Sequence, residues 1–156
     1  MTQKHSLNAA GSIKKENEGQ HTSHKEKSLE SKGNGLKSHS LYIRLKAVPW
    51  AAPRLSKEGV YDIRAKDKQW LRWLVKEQWT DAPLICPVEV HFKFGFVTKR
   101  LYPYHVKRPD LTNYQKLMED CLNKIVIADD RQVFKISAEK YYADDDHIRI
   151  EIIEHT

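Results

Sequence analysis

The chain has 156 residues, a formal net charge of +6 and an isoelectric point near 9.2. This length is typical of a single domain, and the positive charge favours an anionic partner, such as a nucleic acid. The chain has no apolar run of membrane-spanning length and no apolar signal-peptide core, so we expect no membrane insertion. Cys86 and Cys121 lie in apolar surroundings without metal-ligand spacing, which indicates reduced thiols in a cytoplasmic protein rather than a zinc site.

Residues 1–39 differ in composition from the rest of the chain. They contain no aromatic residue and few branched aliphatic residues, and they are rich in Lys, Glu, Ser, His, Asn and Gly. Such a segment cannot bury enough apolar surface to offset the entropy lost on ordering. We therefore predict a disordered basic and polar tail over 1–39 and a folded domain over 40–156. The lysines of the tail either add weak affinity for DNA or only keep it solvated.

The first predicted strand begins at Leu41. Apolar residues at 41, 43, 45 and 47 alternate with polar ones, which is typical of a half-buried strand. Pro49 and Pro53 end it. The loop Trp50–Tyr61 carries Arg54, which either faces DNA or lies on an ordinary exposed loop.

A helix is predicted over Ala65–Gln78, and a strand over residues 87–96. In the helix, Trp70 and Trp73 share a face with the aliphatic residues, so we expect both indoles in the core rather than stacked on bases. The lysines of the other face are expected to be solvated. The strand alternates between apolar residues and a polar face that includes His91, which we expect to be an ordinary surface residue.

Two strands are predicted near the C-terminus. Phe134, Ile136 and Ala138 alternate with polar residues, and isoleucines at 148, 150 and 152 do the same. A short polar link over residues 143–147 separates them, which predicts a hairpin. The element order predicts a compact single α+β domain with two main helices packed on a mixed four-stranded sheet.

The segment between these regions, residues 107–130, has the character of an active site. A helix is predicted from about Leu111 to Asn123, with its apolar residues on one arc. Either Asp110 or Thr112 can cap this helix, and Thr112 with Gln115 fits a capping box.

Distance arithmetic links the acidic residues of this segment. The helix rises about 20 Å at 1.5 Å per residue, and an extended return of half a dozen residues covers roughly the same distance. This would bring Asp129 and Asp130 back beside Asp110. Lys116 lies less than two turns into the helix, so its ammonium group can reach the same pocket. The residues predict a cluster of Asp110 with Asp129, Asp130 or both, and Lys116 nearby.

Cations alternate with aromatic residues immediately before this helix. Residues 98–108 contain Lys99, Arg100, Lys107 and Arg108 together with two tyrosines and a histidine. Such a pattern suits a surface that follows a phosphate backbone, and it leads directly into Asp110. We interpret this stretch as a DNA-binding loop.

Three motifs in this segment resemble a known family. They are Arg-Pro-Asp-Leu-x-Asn-x-x-Lys from Arg108, Asp-x-Leu-Asn from Asp120 and Asp-Asp-x-Gln from Asp129. In order and spacing they are similar to the RusA-type Holliday junction resolvases, small dimeric Mg²⁺-dependent endonucleases of bacteria, phages and prophages. The resemblance is strong over 108–132 and weaker but consistent over 41–154.

The resemblance implies a Mg²⁺-dependent homodimer that resolves Holliday junctions, four-way branched DNA, by paired phosphodiester hydrolysis. It implies catalytic roles for Asp110, Lys116 and Asp130. Metal ligation is expected from Asp110, Asp129 and Asp130, with Asn113 as a further ligand. The family usually has a second Asp two residues after the first, and this chain has Thr112 there.

Two other interpretations remain open at this stage. The departure at Thr112 is compatible with a junction-binding protein whose nuclease activity is weak or lost. Alternatively, Asp110 only caps a helix and Asp129 and Asp130 only form a turn. Cleavage of a synthetic junction with Mg²⁺, and binding to it without Mg²⁺, separate these possibilities.

Overall fold

The computed structural model describes residues 36–155 and confirms the predicted α+β class. No helix within 36–155 is long and apolar enough to cross a membrane. The first 35 residues of the predicted tail lie outside the described part. The elements are β1 (Lys37–Ile43), β2 (Arg54–Ser56), β3 (Gly59–Tyr61), α1 (Ala65–Gln78), β4 (Val88–Phe96), α2 (Leu111–Leu122), a 3₁₀ helix (Asp130–Gln132), β5 (Val133–Tyr142) and β6 (His147–Glu154).

The main sheet has four strands in the order β1-β6-β4-β5. β1 and β4 are antiparallel to β6, whereas β5 is parallel to β4, so the predicted mixed sheet is confirmed. α2 connects the parallel pair, as parallel strands require a long crossover. One core joins the sheet and both helices. Its largest fully buried side chains include Phe92, Phe94, Ile150, Leu71, Leu117 and Met118.

The predicted hairpin between the last two strands is wrong, because β4 lies between β5 and β6. The link between β5 and β6 crosses the end of β4 and is held there by two hydrogen bonds. The Ala143 N–H group donates to the Phe96 carbonyl (3.1 Å), and the Val97 N–H group donates to Asp146 Oδ1 (3.0 Å). A period-two pattern indicates a strand but does not indicate its neighbours.

The first strand begins at Lys37, four residues before the predicted start at Leu41, so the predicted tail boundary at residue 39 is wrong. The first residues of β1 are polar, and they are held in the sheet by backbone pairing with β6 and by contacts with Glu154. Lys37 pairs with Glu154 in the ladder, and its ammonium group lies 3.3 Å from that carboxylate. His39 also hydrogen bonds to Glu154. Hydropathy cannot detect a strand end stabilised in this way.

The two tryptophans of α1 are not in the core, which contradicts the prediction. Trp70 and Trp73 are 52% and 48% exposed, and their rings stack at 4.7 Å between centroids. The buried face of α1 is centred on Leu71 and Val75 instead. Arg72 turns toward the end of α2, because the last carbonyls of a helix need hydrogen-bond donors.

Residues 54–61, predicted as a loop, contain a short antiparallel hairpin of β2 and β3. Arg54 pairs with Tyr61 in its register, and every residue of both strands is exposed. The hairpin has no alternating apolar face, so the sequence does not show a strand pattern here.

Candidate active site

Asp110 ends the segment before α2 and leaves its carboxylate exposed. Its backbone is extended, and its side chain makes no capping hydrogen bond. The predicted capping box does not form either, because the helix begins at Leu111 and Gln115 donates to Glu119 (2.6 Å). The predicted side-chain cap of α2 is therefore wrong. The Asp110 carboxylate remains available at a helix N-terminus, where the helix dipole favours a negative charge.

Lys140, on β5, anchors the chain just before this carboxylate. Its ammonium group donates to the carbonyl oxygens of Lys107 and Pro109, each at 2.8 Å. Burial lowers the pKa of Lys140, and the nearby charge of Asp110 opposes that shift. A lysine in this position fixes the path of the chain into α2 and adds positive charge beside Asp110.

Lys116 lies on the exposed side of α2, against an aromatic ring. Its ammonium group is 3.8 Å from the centroid of the Trp50 ring. Trp50 is fixed in turn by its backbone, since its N–H group donates to the Asn113 carbonyl (2.7 Å). A cation over an indole face is held there by the ring quadrupole.

The residues predicted to bind DNA lie in exposed segments without acidic partners. Lys107 is the most restrained of them, because its ammonium group donates to Thr98 Oγ1 (2.7 Å). The guanidinium group of Arg100 lies 5.9 Å from the Tyr142 ring centroid. Within residues 36–155, no ion pair involves any of the five predicted cations, Arg54, Lys99, Arg100, Lys107 and Arg108.

The basic loop, residues 98–108, is anchored by one buried histidine. His105 is 8% exposed, and its ring packs against Phe96 (4.8 Å) and Tyr142 (5.2 Å) between centroids. Burial, reinforced by the charge of Lys140, lowers the pKa of His105. The buried ring therefore fixes the loop, and the exposed cations project from a defined base.

The chain does not return along α2 in the extended form that the distance arithmetic assumed. It turns tightly at the end of the helix, where Lys124 has a positive φ of 68° and its N–H group donates to the Ile127 carbonyl (2.7 Å). Arg72 closes this end by donating to the carbonyls of Asp120 and Asn123, both at 2.9 Å. The return therefore stays at the C-terminal end of α2.

Asp129 is engaged in local structure. Its carboxylate accepts hydrogen bonds from the Arg131 backbone N–H group (3.0 Å) and from the Arg131 guanidinium group (2.8 and 3.0 Å). These bonds hold the pKa of Asp129 far below its usual range. Gln132 completes the cap by accepting from the Asp129 N–H group (2.7 Å). Asp129 thus caps the 3₁₀ helix, which is the turn role left open by the sequence.

Asp130 is exposed and lines a groove at the edge of the sheet. The groove has a volume of about 380 Å³ and lies between α2 and the start of β5. Gln115 and Glu119 line its α2 side, and Phe134 and Ile136 line its β5 side. Asp130 therefore shares this groove with Gln115, Glu119 and Leu122 of α2 rather than with the first residues of that helix.

Asp110 and Asp130 lie near opposite ends of β5. Lys140, beside Asp110, and Val133, next to the 3₁₀ helix, are seven residues apart on this strand, or about 23 Å. Among the residues that the structure describes, no group of three or more His, Cys, Asp or Glu is close enough to hold a metal ion. The folded single chain therefore does not bring the predicted carboxylates together, and its residues alone do not fit a Mg²⁺ ion.

A family model described as Endodeoxyribonuclease RusA matches residues 47–153. The chain belongs to the RusA family. It is accordingly an endodeoxyribonuclease of the Holliday junction resolvase class, which acts on branched DNA. No curated protein matches the chain with significant similarity. The RusA match covers every predicted site residue and begins after β1.

Two charged residues of the RusA domain were missed by sequence reasoning. Lys140 follows Ile136 and Ala138 at an inward position of β5, and a lysine in the apolar phase of a strand is a usable signal. Glu119 lines the same groove as Asp130 and is one helical turn after Gln115. Its position gave no comparable signal, because an acidic residue on a helix surface is ordinary.

Proposed function

We propose that this RusA-family protein is a Mg²⁺-dependent, structure-selective endonuclease that cuts Holliday junctions symmetrically as a homodimer. Asp110, Lys116 and Asp130 act in catalysis, and Asp110 and Asp130 are the principal metal ligands, with Asp129 and Asn113 contributing oxygen atoms. Arg54, Lys99, Arg100, Lys107 and Arg108 bind the DNA backbone.

The observation that carries the proposal is the free carboxylate of Asp110 next to the basic loop. Asp110 makes no capping bond, although it occupies a capping position. An acidic side chain left unused at a helix start, two residues after Arg108, suits a site that acts on a phosphate held by Lys107 and Arg108. A purely structural Asp in this position would be expected to cap the helix.

The cations have separate tasks in this proposal. The exposed cations of the basic loop neutralise phosphates on the arms of the junction. Lys116 supplies positive charge where the phosphate develops negative charge during cleavage. Lys140 positions the Asp110 segment through its two carbonyl contacts and does not itself bind DNA.

We assign the Mg²⁺ requirement to the assembled homodimer rather than to a single chain. Oxygen ligands of the type offered by Asp110 and Asp130 are those that Mg²⁺ prefers. In one chain, these carboxylates are separated by the length of β5. We therefore assign no catalytic step to a metal bound by a single chain.

The proposal is tested with a synthetic four-way junction in Mg²⁺. Asp110→Asn and Asp130→Asn should each abolish cleavage, because each amide keeps the size of the carboxylate and removes its charge. Both should retain junction binding, measured in Ca²⁺. Asp144→Asn is the matched control, because Asp144 is an exposed carboxylate in the β5–β6 link. Cleavage at the wild-type rate by either site variant would remove that residue from the site.

A second function is favoured by Thr112, which is exposed in the first turn of α2 where the family usually has an acidic ligand. With one carboxylate fewer, the protein would bind junctions without cutting them. Wild-type protein that binds the junction in Ca²⁺ but does not cleave it in Mg²⁺ would establish this alternative. Absence of both binding and cleavage would reject both functions.

A further inference from the structure

Two tryptophans on α1 form an exposed, stacked pair. The ring centroids of Trp70 and Trp73 are 4.7 Å apart, with an angle of 21° between the ring planes. Stacking uses one face of each indole, and about half of each residue is still exposed. Tryptophan usually contributes a large buried area to a core or an interface. Two adjacent indoles that stay in water therefore mark a surface on which a ligand can bind.

The other two tryptophans of the chain have structural tasks. Trp79 is buried, and its indole N–H group donates to the Ala82 carbonyl (3.4 Å). Trp50 lies under the ammonium group of Lys116, as described above. The stacked pair has no such task, because Leu71 and Val75 form the buried face of α1. The pair lies on the opposite arc of the helix, where residues three apart are separated by about 60°.

The charge around the pair is mainly positive. Between residues 64 and 78 the chain has five basic and two acidic residues. Lys68 and Arg72 are engaged with the end of α2. Lys66 is exposed on the same arc as Trp70, one turn before it, and no ion pair in the described part of the chain involves it. A free cation beside stacked rings suits a ligand with planar rings and anionic groups.

We propose that the Trp70–Trp73 pair is a binding site for single-stranded DNA, on which unpaired bases stack. Every base has a π face, so the indole pair accepts bases of any sequence. Lys66 neutralises a phosphate near the start of α1, where the helix dipole also favours an anion. Glu77, exposed one turn after Trp73, repels phosphate from the other end of the pair. The DNA backbone therefore passes the pair on the Lys66 side.

This site lies away from the start of α2 and goes beyond the proposed function. The Lys68 ammonium group is 2.8 Å from the Asp120 carboxylate, which is ten residues after Asp110, or about 15 Å along α2. Arg72 holds the same stretch of α1 against the last carbonyls of α2. A strand bound on α1 is thus held beside the nuclease domain without occupying Asp110 or the basic loop.

The site is tested first by tryptophan fluorescence during titration with an oligothymidine of about eight nucleotides. Stacking on bases should quench the emission of the wild type. The double variant Trp70→Phe/Trp73→Phe keeps two rings for stacking but has only Trp50 and Trp79 as emitters. It should therefore bind with nearly the wild-type affinity and without the quenching.

A blunt duplex of the same length is the control ligand for base stacking. Its bases are already stacked on one another, so it should not quench the wild-type emission. Quenching of equal size by the duplex would show that the indoles sense a phosphate backbone, and it would overturn the proposal. Absence of quenching by oligothymidine would overturn it as well.

Affinity, measured by fluorescence anisotropy of labelled oligothymidine, tests the role of the rings. Trp70→Ala and Trp73→Ala should each weaken binding about tenfold. Trp73→Leu keeps an apolar side chain without a π face and should bind as weakly as Trp73→Ala. Ile85→Ala is the control, since Ile85 is an apolar residue outside α1 that is 88% exposed. Wild-type affinity in both alanine variants, or in Trp73→Leu, would contradict base stacking.

The two charges at the ends of the pair should act in opposite directions. Lys66→Gln should reduce the slope of log affinity against log salt concentration by about 0.7, the value for one phosphate contact with a single strand. Glu77→Gln should strengthen binding about twofold, because an exposed repulsion is removed. An unchanged slope in Lys66→Gln together with unchanged affinity in Glu77→Gln would overturn the assigned path of the backbone.

Two further variants separate this site from the DNA contacts proposed above. Arg100→Gln changes the basic loop and should leave the quenching by oligothymidine in place. Loss of the quenching in this variant would assign the strand to the basic loop and overturn the site on α1. Asp110→Asn should also retain the quenching. If the wild type shows quenching but does not cleave junctions, only the proposed function fails. Junction cleavage without quenching rejects only the site on α1.

Discussion

The ammonium group of Lys116 lies over the face of the Trp50 ring, 3.8 Å from its centroid. The contact restrains a flexible side chain less than two turns from the start of α2. The backbone N–H group of Trp50 is hydrogen-bonded to the first turn of α2, so the Trp50 residue is held in place relative to the helix. The lysine is thus partly ordered before any DNA binds, which reduces the entropy lost when it acts on a phosphate.

Lys116→Ala should slow junction cleavage on the order of a hundredfold, because charge stabilisation in the transition state is lost. Junction affinity, measured in Ca²⁺, should change far less. Lys76→Ala is the control, as Lys76 is exposed on α1. If affinity falls in proportion to the cleavage rate, Lys116 only anchors a phosphate.

Lys140→Met should lower the free energy of unfolding by about 2 kcal/mol, because the charged donor of two partly buried hydrogen bonds is removed. Urea unfolding measures this change. Cleavage should also slow, since the segment that carries Asp110 loses its anchor. Lys46→Met, at an exposed lysine, should change neither quantity. An unchanged unfolding curve for Lys140→Met would contradict the anchoring role.

Asp129→Ala should destabilise the protein in a pH-dependent way. The Arg131 contacts keep the pKa of Asp129 below its unfolded value, so their stabilisation is present above about pH 4 and is lost as the pH falls toward the folded pKa. The difference in Tm between wild type and variant should therefore be constant near neutral pH and shrink in acid. Asp144→Ala controls for the lost charge. A difference that persists unchanged in strong acid would exclude this origin.

Removal of residues 1–39 should lower Tm by several degrees relative to removal of residues 1–35, because only the longer deletion cuts into β1. The longer deletion removes the contacts of Lys37 and His39 with Glu154 and three rungs of the ladder. Thermal unfolding followed by circular dichroism compares the two proteins. Equal Tm values would mean that the first half of β1 contributes no stability.

Thr112→Asp should lower the Mg²⁺ concentration needed for half-maximal cleavage, because it adds a carboxylate two residues after Asp110. The helix start tolerates this charge, and Tm should rise slightly for the same reason. Thr112→Asn adds a side chain of similar size without the charge and should leave the Mg²⁺ requirement unchanged. If Thr112→Asp also leaves it unchanged, position 112 does not contact the metal.

Features encoded within a few neighbouring residues could be predicted from the sequence alone. α1 has the predicted bounds, and α2 ends one residue before the predicted end. The strand that became β4 was clear from its alternation, and the motifs from Arg108 to Gln132 indicated the RusA family before any fold was known. These signals depend on helix and strand periodicity and on residue spacing, which are local properties and do not change with the tertiary packing around them.

Only the tertiary structure decided which elements became neighbours. β4 separates β5 from β6, Arg72 donates to the end of α2 while Trp70 is exposed, and the tight turn at Lys124 keeps Asp130 away from Asp110. Each outcome depends on satisfying polar groups of distant segments, such as the last carbonyls of α2, at the same time as burying the core. Hydrophobic periodicity contains no information about those long-range hydrogen bonds, so the sequence specified the elements while the packing determined where their carboxylates lie.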